Sequence, residues 1–272
     1  WGVKDTVASA SSGLDIEMPI THFYGEKLLE AVREGEVTEQ TIDESALRII
    51  RTLLAHEHFI EEHKKEGSCD YRKHQELALQ CAREGITLLK NEDQLLPIDC
   101  KKRKKIVVLG SYADRENIGD RGSSQVYAPY VVTILQGITE YPSDAEVIYY
   151  SGESASHCRR LAKEAVVVLV GGSMILMDEW EDQVGAILMA YYPGMEGGKA
   201  VADVLFGKTN PGGKLPFVIP KKEEDLPEID WDAEEFRYDY YHGYTLLNKS
   251  HVKPLYPFGY GLSYTTFTLA GM

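Results

Sequence analysis

The sequence predicts an α/β protein in which helices cover both faces of a mostly parallel sheet. Short β-branched, nearly continuous apolar runs alternate with helical stretches along the second part of the chain, which is the pattern of buried parallel strands. The apolar fraction of 43% is enough for a packed core. The predicted strands are "KIVVL" at 105, "EVIYY" at 146, "VVVLV" at 166 and "GAILMA" at 185.

The chain length indicates one large domain, or one domain with a smaller piece, because 272 residues exceed the usual size of a single domain. The first piece is predicted to be helical. Its clearest helix covers residues 41–54, with a capping box of Thr41 and Glu44. A shorter helix before it stops near Gly35, and the polar stretch 57–73 is typical of a linker. The apolar residues of the longer helix are Ala46, Ile49, Ile50 and Leu53.

Helical patterns also lie between and around the predicted strands. One helix is expected from about His74 to Leu89, and others at 154–164 and 196–206. From Asn210 onward, proline, glycine and tyrosine dominate, which predicts a long ordered surface segment. The side chains expected to face the core are Leu77, Cys81, Gly85 and Leu88 in the first helix, and Ala200, Val201, Val204 and Leu205 in the last.

The net charge of −14 and the pI near 5.1 argue against nucleic acid or an anionic membrane as a partner, since phosphate binding needs clustered basic residues. The single basic run, residues 101–105, is expected to be solvated. No apolar run approaches the roughly 20 residues of a membrane span. Nothing at the start reads as a signal peptide, although a chain that begins at Trp1 without Met leaves an upstream segment open.

Neither a metal site nor a cofactor site is predicted. The cysteines have no metal-like spacing, and we expect reduced thiols in a cytosolic protein. His56, His58 and His63 lack a partner at a fixed offset that would make a zinc site. The glycine-rich patterns of nucleotide binding and the nucleophile elbow of α/β-hydrolases are absent from the sequence. The cysteines are Cys69, Cys81, Cys100 and Cys158.

Six stretches, taken together and in order, resemble family 3 glycoside hydrolases, the β-glucosidase and β-xylosidase group. They cover nearly the whole chain. They are "ASSGLDIEMP" (10–19), "AVREGEVTEQTIDESALRIIR" (31–51), "CAREGITLLKNEDQLLPI" (81–98), "GDRGSSQVYAPYVVTILQGI" (119–138), "AILMAYYPGMEGGKAVADVLFGKTNPGGKLP" (186–216) and "PFGYGLSYTTF" (257–267).

The resemblance implies a domain organisation. Residues 1–60 correspond to the last elements of a (β/α)8 barrel, residues 61–73 to a linker and residues 74–272 to an α/β sandwich. "YYPGMEGG" is read as a strand-to-helix turn, which the family places near the sugar cleft. The aromatic residues of "PFGYGLSYTTF" are expected to pack a returning tail across the sheet rather than to stack on sugar.

The resemblance also indicates that the catalytic pair is missing. A retaining glycosidase needs two carboxyl groups about 5–5.5 Å apart, one as nucleophile and one as acid/base. The family nucleophile would be the residue before Trp1. The family acid/base loop would fall at the junction of Ala165 and Val166, where a few dozen residues of the family pattern are absent. The chain is therefore expected to be truncated and internally deleted.

Other carboxylates of the chain are candidate substitutes for the catalytic pair. Asp5 and Asp15 follow the expected nucleophile position, and Asp15 is expected to cap or orient a loop. Glu153 is read as a helix-start residue. A cluster near Trp180 is either solvated surface or a sugar-facing edge; its members are Asp178, Glu179, Glu181 and Asp182.

Four residues are carried over from the family as substrate-binding. Trp1 matches the indole after the nucleophile, and an aromatic face suits the apolar face of a pyranose, while packing within the barrel is the alternative role of this residue. Ser123 matches a sandwich loop that reaches the sugar, with Asp120 and Arg121 beside it in the cleft.

Two functions of different classes remain open from the sequence. In the first, the full-length parent is a β-glucosidase-like O-glycosyl hydrolase that acts on terminal β-D-glucosyl or β-xylosyl residues of a β-linked oligosaccharide or glycoside, and this chain alone is inactive. In the second, the chain is a non-catalytic carbohydrate-binding or scaffold remnant. Exposed barrel edges predict self-association.

Overall fold

The computed structural model describes residues 2–18, 20–63, 70–119, 126–151, 164–230, 232–233, 235, 237, 239–266 and 268. The chain divides into two compact units, residues 1–69 and 70–272. The boundary residues 60, 61, 73 and 74 of the sequence analysis remain a prediction, as does the barrel origin of the first unit.

The first unit is built from four helices in its described residues. Its core is small, with Ala10, Ala31 and Val37 buried against one another. The helices are α1 (Thr6–Ser11), α2 (Glu26–Arg33), α3 (Glu39–Ala55) and α4 (Glu57–His63).

The start of α3 corrects the predicted cap. The N-cap is Thr38, whose hydroxyl oxygen accepts the backbone N–H of Thr41 at 3.2 Å. Thr41 is therefore the third residue of the helix and not its cap. The Thr38 side chain accepts from a backbone N–H of the first turn, which is the role of an N-cap residue. The polar stretch predicted as a linker begins with α4, so helix continues to His63.

The apolar stripe of α3 is poorly covered in this unit. None of its side chains is buried, and Ile50 and Leu53 are 52% and 54% exposed. Ile42 packs against the small core, but the rest of the stripe faces outward. The first unit thus presents an apolar surface formed by Leu47, Ile50, Leu53 and Leu54.

The second unit contains the sheet strands. Its described elements are α5 (Tyr71–Gly85), β1 (Thr87–Asn91), β2 (Lys105–Leu109), α6 (Ile134–Thr139), β3 (Glu146–Tyr150), β4 (Val166–Leu169), β5 (Ala186–Met189), α7 (Gly197–Leu205) and α8 (Gly243–Lys249). All four strands expected from the sequence are present, and the predicted helix at 196–206 corresponds to α7. The predicted helix at 154–164 lies outside the described residues except for Glu164.

The strands form two sheets. One has the order β1-β5-β4, with β1 antiparallel to β5 and β4 parallel to it, and the other pairs β2 with β3 in parallel. The predicted α/β sandwich with mostly parallel strands is confirmed. Within the described residues, β2 and β4 do not pair with each other.

The prediction of a helix from His74 to Leu89 is wrong in two respects, the residue at which the helix ends and the face that is buried. α5 stops at Gly85, and β1 follows directly. Leu77 is 57% exposed, whereas Leu79 is buried. The ion pair between Arg83 and the buried carboxylate of Asp203 in α7 orients this face of α5 toward the core.

One hydrophobic core joins the helices to both sheets. It contains Val108 of β2, Leu188 of β5 and Val201 of α7. α6 and α7 approach so closely that a Cβ on Gly137 would lie 2.1 Å from the carbonyl oxygen of Gly198. The predicted inward residues of α7 are all buried: Ala200, Val201, Val204 and Leu205.

The segment from Asn210 onward is more buried than predicted. Leu215, Ile219 and Tyr256 pack in a second core against β1, β4 and β5. The tail extends the sheet edge, since Leu262 donates its N–H to the carbonyl of Leu88 at 2.8 Å. This segment forms the second layer of the sandwich rather than a surface excursion.

The terminal aromatic residues have an architectural role, as expected. Tyr260 packs on the second core, and Tyr264 donates its hydroxyl to the carbonyl of Val204 at 2.9 Å. Phe258 is 56% exposed. Phe267 lies outside the described residues.

No helix in the part of the chain that the structure describes is long and apolar enough to cross a membrane. Cys81 and Cys100 are free thiols.

The contact between α6 and α7 gives a stability prediction. Replacing Gly137 by Ala should lower the free energy of unfolding by about 1–3 kcal/mol, because the added methyl group meets backbone that cannot rotate away. Gly85→Ala is the matched control, since a Cβ there meets nothing within 4 Å. Urea titration of both variants checks this, and equal midpoints would contradict the contact.

Candidate functional site

The four residues predicted to bind substrate, Trp1, Asp120, Arg121 and Ser123, lie outside the described residues, as does Glu153. Of the region around "GDRGSS", the structure describes the chain up to Gly119 and again from Val126. Their role as a sugar site therefore remains a proposal, and the site geometry below is that of described residues of the second unit.

Ligands of open α/β sheets bind beyond the carboxyl ends of the parallel strands. In the second unit, these ends carry tyrosines on the loops that follow β2 and β5. Three of them, Tyr112, Tyr127 and Tyr192, line one cavity of about 2330 Å³. Tyr130 lies on the same returning segment as Tyr127. We call these four residues the tyrosine rim; their exposed fractions are 66%, 88%, 40% and 40% for Tyr112, Tyr127, Tyr130 and Tyr192.

The loop after β2 positions Tyr112. Gly110 turns the chain at the strand end with φ of +102°, a conformation that favours glycine. The side-chain amide of Asn117 donates to the carbonyls of Tyr112 and Arg115 at 3.0 and 2.9 Å. The Arg115 guanidinium lies 5.3 Å from the centroid of the Tyr112 ring. These contacts hold an exposed ring beside a positive charge.

The loop after β5 separates two adjacent tyrosines. Tyr191 adopts φ of +55°, which is uncommon for a non-glycine residue and points to a local functional or packing constraint. Its hydroxyl lies 3.1 Å from the hydroxyl of Thr87, and burial raises its pKa. The Tyr192 ring covers Gly172, where a Cβ would come within 2.7 Å of the ring. Tyr191 is thereby anchored in the core and Tyr192 faces the cavity.

Glu196 is the buried carboxylate of this edge, with 6% exposure. It immediately precedes α7 and accepts the hydroxyl of Tyr130. This hydrogen bond, with burial, raises the pKa of Tyr130 to about 12. The backbone supports the pair, since Val132 donates to the carbonyl of Met195 at 2.8 Å. Glu196 thus anchors the tyrosine-bearing segment to the turn at the end of β5.

The rim suits the stacking of a sugar. Exposed tyrosine rings offer flat apolar faces with a hydroxyl at the edge, which match the C–H face and hydroxyl groups of a pyranose. The carboxylate among them is already engaged. The described arrangement can therefore bind a carbohydrate, but Glu196 is not open to protonate or attack one.

The acidic cluster near Trp180 is divided between surface and core. Glu181 accepts the hydroxyl of Tyr256 at 2.7 Å and lies 3.7 Å from the ammonium of Lys90, so a fully solvated reading is wrong for this residue. Burial, followed by the bond to Glu181, raises the pKa of Tyr256. The exposed carboxylates surround a smaller cavity of about 350 Å³ together with Trp180; they are Asp178, Glu179, Glu223 and Glu224.

The carboxylates of the first unit have structural partners. Asp5 caps α1 by accepting the N–H of Ala8 at 2.6 Å. Asp15 pairs with Arg48 at 2.7 Å, and this hydrogen bond lowers the pKa of Asp15. The prediction that Asp15 orients a loop is confirmed.

Glu17 has a loop-binding role that the sequence analysis missed. Its carboxylate accepts backbone N–H groups from His22, Phe23 and Tyr24 at 2.8–3.2 Å. Desolvation raises the pKa of Glu17, but these three bonds together outweigh it and lower the pKa. Within the described residues, no group of three His, Cys, Asp or Glu side chains could hold a metal ion.

Comparison with known proteins identifies the family. The model of the glycosyl hydrolase family 3 C-terminal domain matches residues 86–158 and 151–264. The chain belongs to glycosyl hydrolase family 3. Thermostable beta-glucosidase B from Acetivibrio thermocellus is 30% identical and covers 98% of this chain. An exo-alpha-(1->6)-L-arabinopyranosidase from Bifidobacterium longum is 28% identical over the whole chain.

A solved family 3 structure shows the same fold. The beta-glucosidase from Bifidobacterium adolescentis superimposes with a TM-score of 0.69 at 26% identity and covers 98% of this chain. This chain corresponds to 47% of that protein, and to 43% and 44% of the two curated relatives. The chain therefore spans less than half the length of these family 3 proteins.

The match to the family is also interrupted internally. The family model aligns in two pieces that meet at residues 151–158, between β3 and β4. The alignment with thermostable beta-glucosidase B runs over 328 positions, although this chain has 272 residues. Dozens of positions in that family 3 relative thus lack a counterpart here.

The tyrosine rim and Glu196 were not singled out from the sequence. A usable signal existed, since the pairs "QVYAPY" and "YYPG" place tyrosines beside prolines directly after a strand or before a helix. Only the fold shows that these separate stretches converge on one edge.

The pair of Tyr130 and Glu196 gives a pH prediction. Tyrosine in an unfolded chain ionises near pH 10, so the bond stabilises the fold fully below that pH and is lost as the pH rises through about 12. The tyrosine ¹³Cζ NMR signal that vanishes in Tyr130→Phe should titrate near 12 in the unmodified chain. Glu196→Gln should move it toward 10; an unchanged midpoint in that variant would contradict the bond.

Proposed function

We propose that this chain is the C-terminal part of a retaining β-glycosidase. Its full-length parent hydrolyses terminal β-D-glucosyl or β-xylosyl residues by double displacement, and this chain alone does not. The observation that carries the proposal is the match of the family model to the second unit. The tyrosine rim at the carboxyl ends of the parallel strands supports a sugar as the ligand.

The proposed catalytic carboxylates lie outside this sequence. The nucleophile is the residue that would precede Trp1, and the acid/base is carried by the segment that family members have near Ala165 and Val166. The two-piece match to the family model supports an interruption close to that junction. Within the described edge, the engagement of Glu196 by Tyr130 argues against a substitute.

The sugar-binding role of Trp1, Asp120, Arg121 and Ser123 belongs to the same proposal. Gly119 and Val126, the described residues on either side of positions 120–125, line the same cavity as Tyr112 and Tyr127, which supports this proposal.

The first unit is proposed to be the end of a (β/α)8 barrel. Its small core and exposed apolar stripe on α3 support an element taken from a larger packed structure. In isolation this surface favours self-association, since exposed apolar patches tend to be covered by other protein.

The absence of turnover is a direct prediction. The purified chain should release no nitrophenol from 4-nitrophenyl β-D-glucoside above a buffer blank, because a retaining mechanism needs both carboxyl groups. A chimera tests whether the missing carboxyl groups explain the lack of activity. In this chimera, the part of thermostable beta-glucosidase B that precedes the matched region is fused to the amino end of this chain, before Trp1. The fusion is designed to supply the nucleophile but not the acid/base.

The chimera should act only on substrates whose leaving group needs no proton. With 2,4-dinitrophenyl β-glucoside, the nucleophile displaces dinitrophenolate, and azide then attacks the anomeric carbon and releases the enzyme carboxylate. The product should be the β-glucosyl azide. The same chimera with the nucleophile Asp changed to Ala is the control. Release of nitrophenol by the chain alone would overturn the proposal. Turnover of 4-nitrophenyl β-D-glucoside by the chimera without azide would also overturn it.

The alternative function is a non-catalytic carbohydrate-binding or scaffold remnant, which the exposed tyrosine rim favours over a scaffold without ligand. A ligand stabilises a protein only through a site present in the folded state. If the chain alone binds sugar, glucose near 100 times its Kd should raise the stability by about 2.7 kcal/mol. Thermal unfolding with glucose, with Tyr112→Ala as the binding-site variant, checks this. No shift with glucose or xylose excludes carbohydrate binding by the chain alone and leaves the scaffold remnant.

A further inference from the structure

An exposed pair of aromatic rings lies on the second unit, within the stretch 239–266, all of which the structure describes. Tyr244 belongs to the first turn of α8, and Phe258 belongs to the tail that follows this helix. Their ring centroids are 5.3 Å apart with 36° between the ring planes, yet the two residues remain 49% and 56% exposed. We call Tyr244 and Phe258 the aromatic platform.

The backbone at the start of α8 fixes the position of Tyr244. The hydroxyl of Thr245 accepts the backbone N–H of His242 at 3.1 Å and donates to the carbonyl of Tyr240 at 2.9 Å. Further along the same helix, Leu247 is buried with 4% exposure and attaches α8 to the fold. Tyr244 is therefore exposed on an ordered turn, whose backbone has little freedom left to lose when a ligand binds.

A tight turn holds Phe258. Tyr260 donates its N–H to the carbonyl of Pro257 at 3.1 Å, and Gly259 has φ of +78°, the conformation that a type II turn requires at its third residue. Gly259 also donates its N–H to the carbonyl of Leu215, a residue of the second core, at 2.8 Å. Phe258 thus stays exposed although the turn that carries it is attached to the core.

Polar groups accompany the two rings. Asn248 is exposed and follows Tyr244 by four residues in α8, so the two side chains are neighbours on the helix surface. The Tyr244 hydroxyl and the Asn248 amide can both donate and accept hydrogen bonds. The ring of Tyr241 is not part of the platform, because the ammonium of Lys249 covers it, 3.7 Å from the ring centroid. The platform therefore combines apolar ring faces with a hydroxyl and an amide.

We propose that the aromatic platform is a second, non-catalytic binding site for a β-linked oligosaccharide, and it shares no residue with the tyrosine rim. A pyranose presents an apolar C–H face and hydroxyl groups at its edge, which match the rings of Tyr244 and Phe258 and the amide of Asn248. The net charge of −14 favours a neutral ligand over an anionic one. Membership of glycosyl hydrolase family 3 favours a sugar among neutral ligands. The β-linkage of that sugar rests on the proposed function.

The test is an NMR titration of the full, isotope-labelled chain with cellohexaose, a β-linked oligosaccharide of glucose. The ring signals of the platform are identified by their absence in Tyr244→Ala and Phe258→Ala. Both signals should shift with one shared midpoint. Each variant should bind at least about tenfold more weakly at the remaining ring, because part of the stacking surface is lost. Asn248→Ala should weaken binding about fivefold, since it removes hydrogen bonds from the edge of the sugar.

The matched control is Tyr71→Ala. Tyr71 is also an exposed tyrosine in the first turn of a helix, α5, and it is 62% exposed. This variant should leave the midpoint of the cellohexaose titration unchanged. The substituted rings of the platform are about half exposed, so each variant should remain folded, and dispersed amide signals check this.

The outcomes separate the platform from the proposed function. The absence of a shift in both ring signals at millimolar cellohexaose would overturn the platform, and so would an equal loss of affinity in Tyr71→Ala. Unchanged affinity in Tyr244→Ala and Phe258→Ala would also overturn it. Shifts confined to the ring signals of Tyr112 and Tyr127 would overturn the platform and leave the proposed function standing. Release of nitrophenol by the chain alone would overturn the proposed function but not the binding measured at the platform.

Discussion

The N–H and C=O groups of a strand need partners on both sides, and among the described strands of the second unit only β5 has a strand on each side, because β1-β5-β4 and β2-β3 form separate sheets. The two sheets are held together by helices and by a shared hydrophobic core. α6 and α7, in contact through Gly137 and Gly198, span both parts, and one core includes side chains from each. The fold thus keeps the geometry of a family 3 sandwich around an interruption.

The interruption and the candidate site are parts of one cavity. Apolar residues of β2 and β4 line this cavity, and so do Tyr112, Tyr127 and Tyr192 of the tyrosine rim. Glu196 anchors the rim through Tyr130 instead of facing a substrate. The two pieces of the family match overlap at residues 151–158, in the connection that joins β3 to β4.

Local patterns in the sequence were sufficient for most elements and insufficient for long-range partners. The four β-branched runs and α7 were predicted because their apolar residues are nearly continuous. β1 was missed because Leu88 continues the helical spacing of Leu77, Cys81 and Gly85, although the ion pair of Arg83 with Asp203 turns a different face inward. The rim was missed because its tyrosines come from three separate stretches. The four residues carried over from the family fall outside the described chain.

The separation of β2 from β4 is the central claim, and NMR of the isotope-labelled chain measures it most directly. Cross-strand contacts between backbone protons should connect β2 with β3 and β4 with β5, which serve as internal references, and should be absent between β2 and β4. Cross-strand contacts between Val107 or Val108 and the residues of β4, at the intensity of the reference pairs, would mean a continuous sheet and would contradict the interruption.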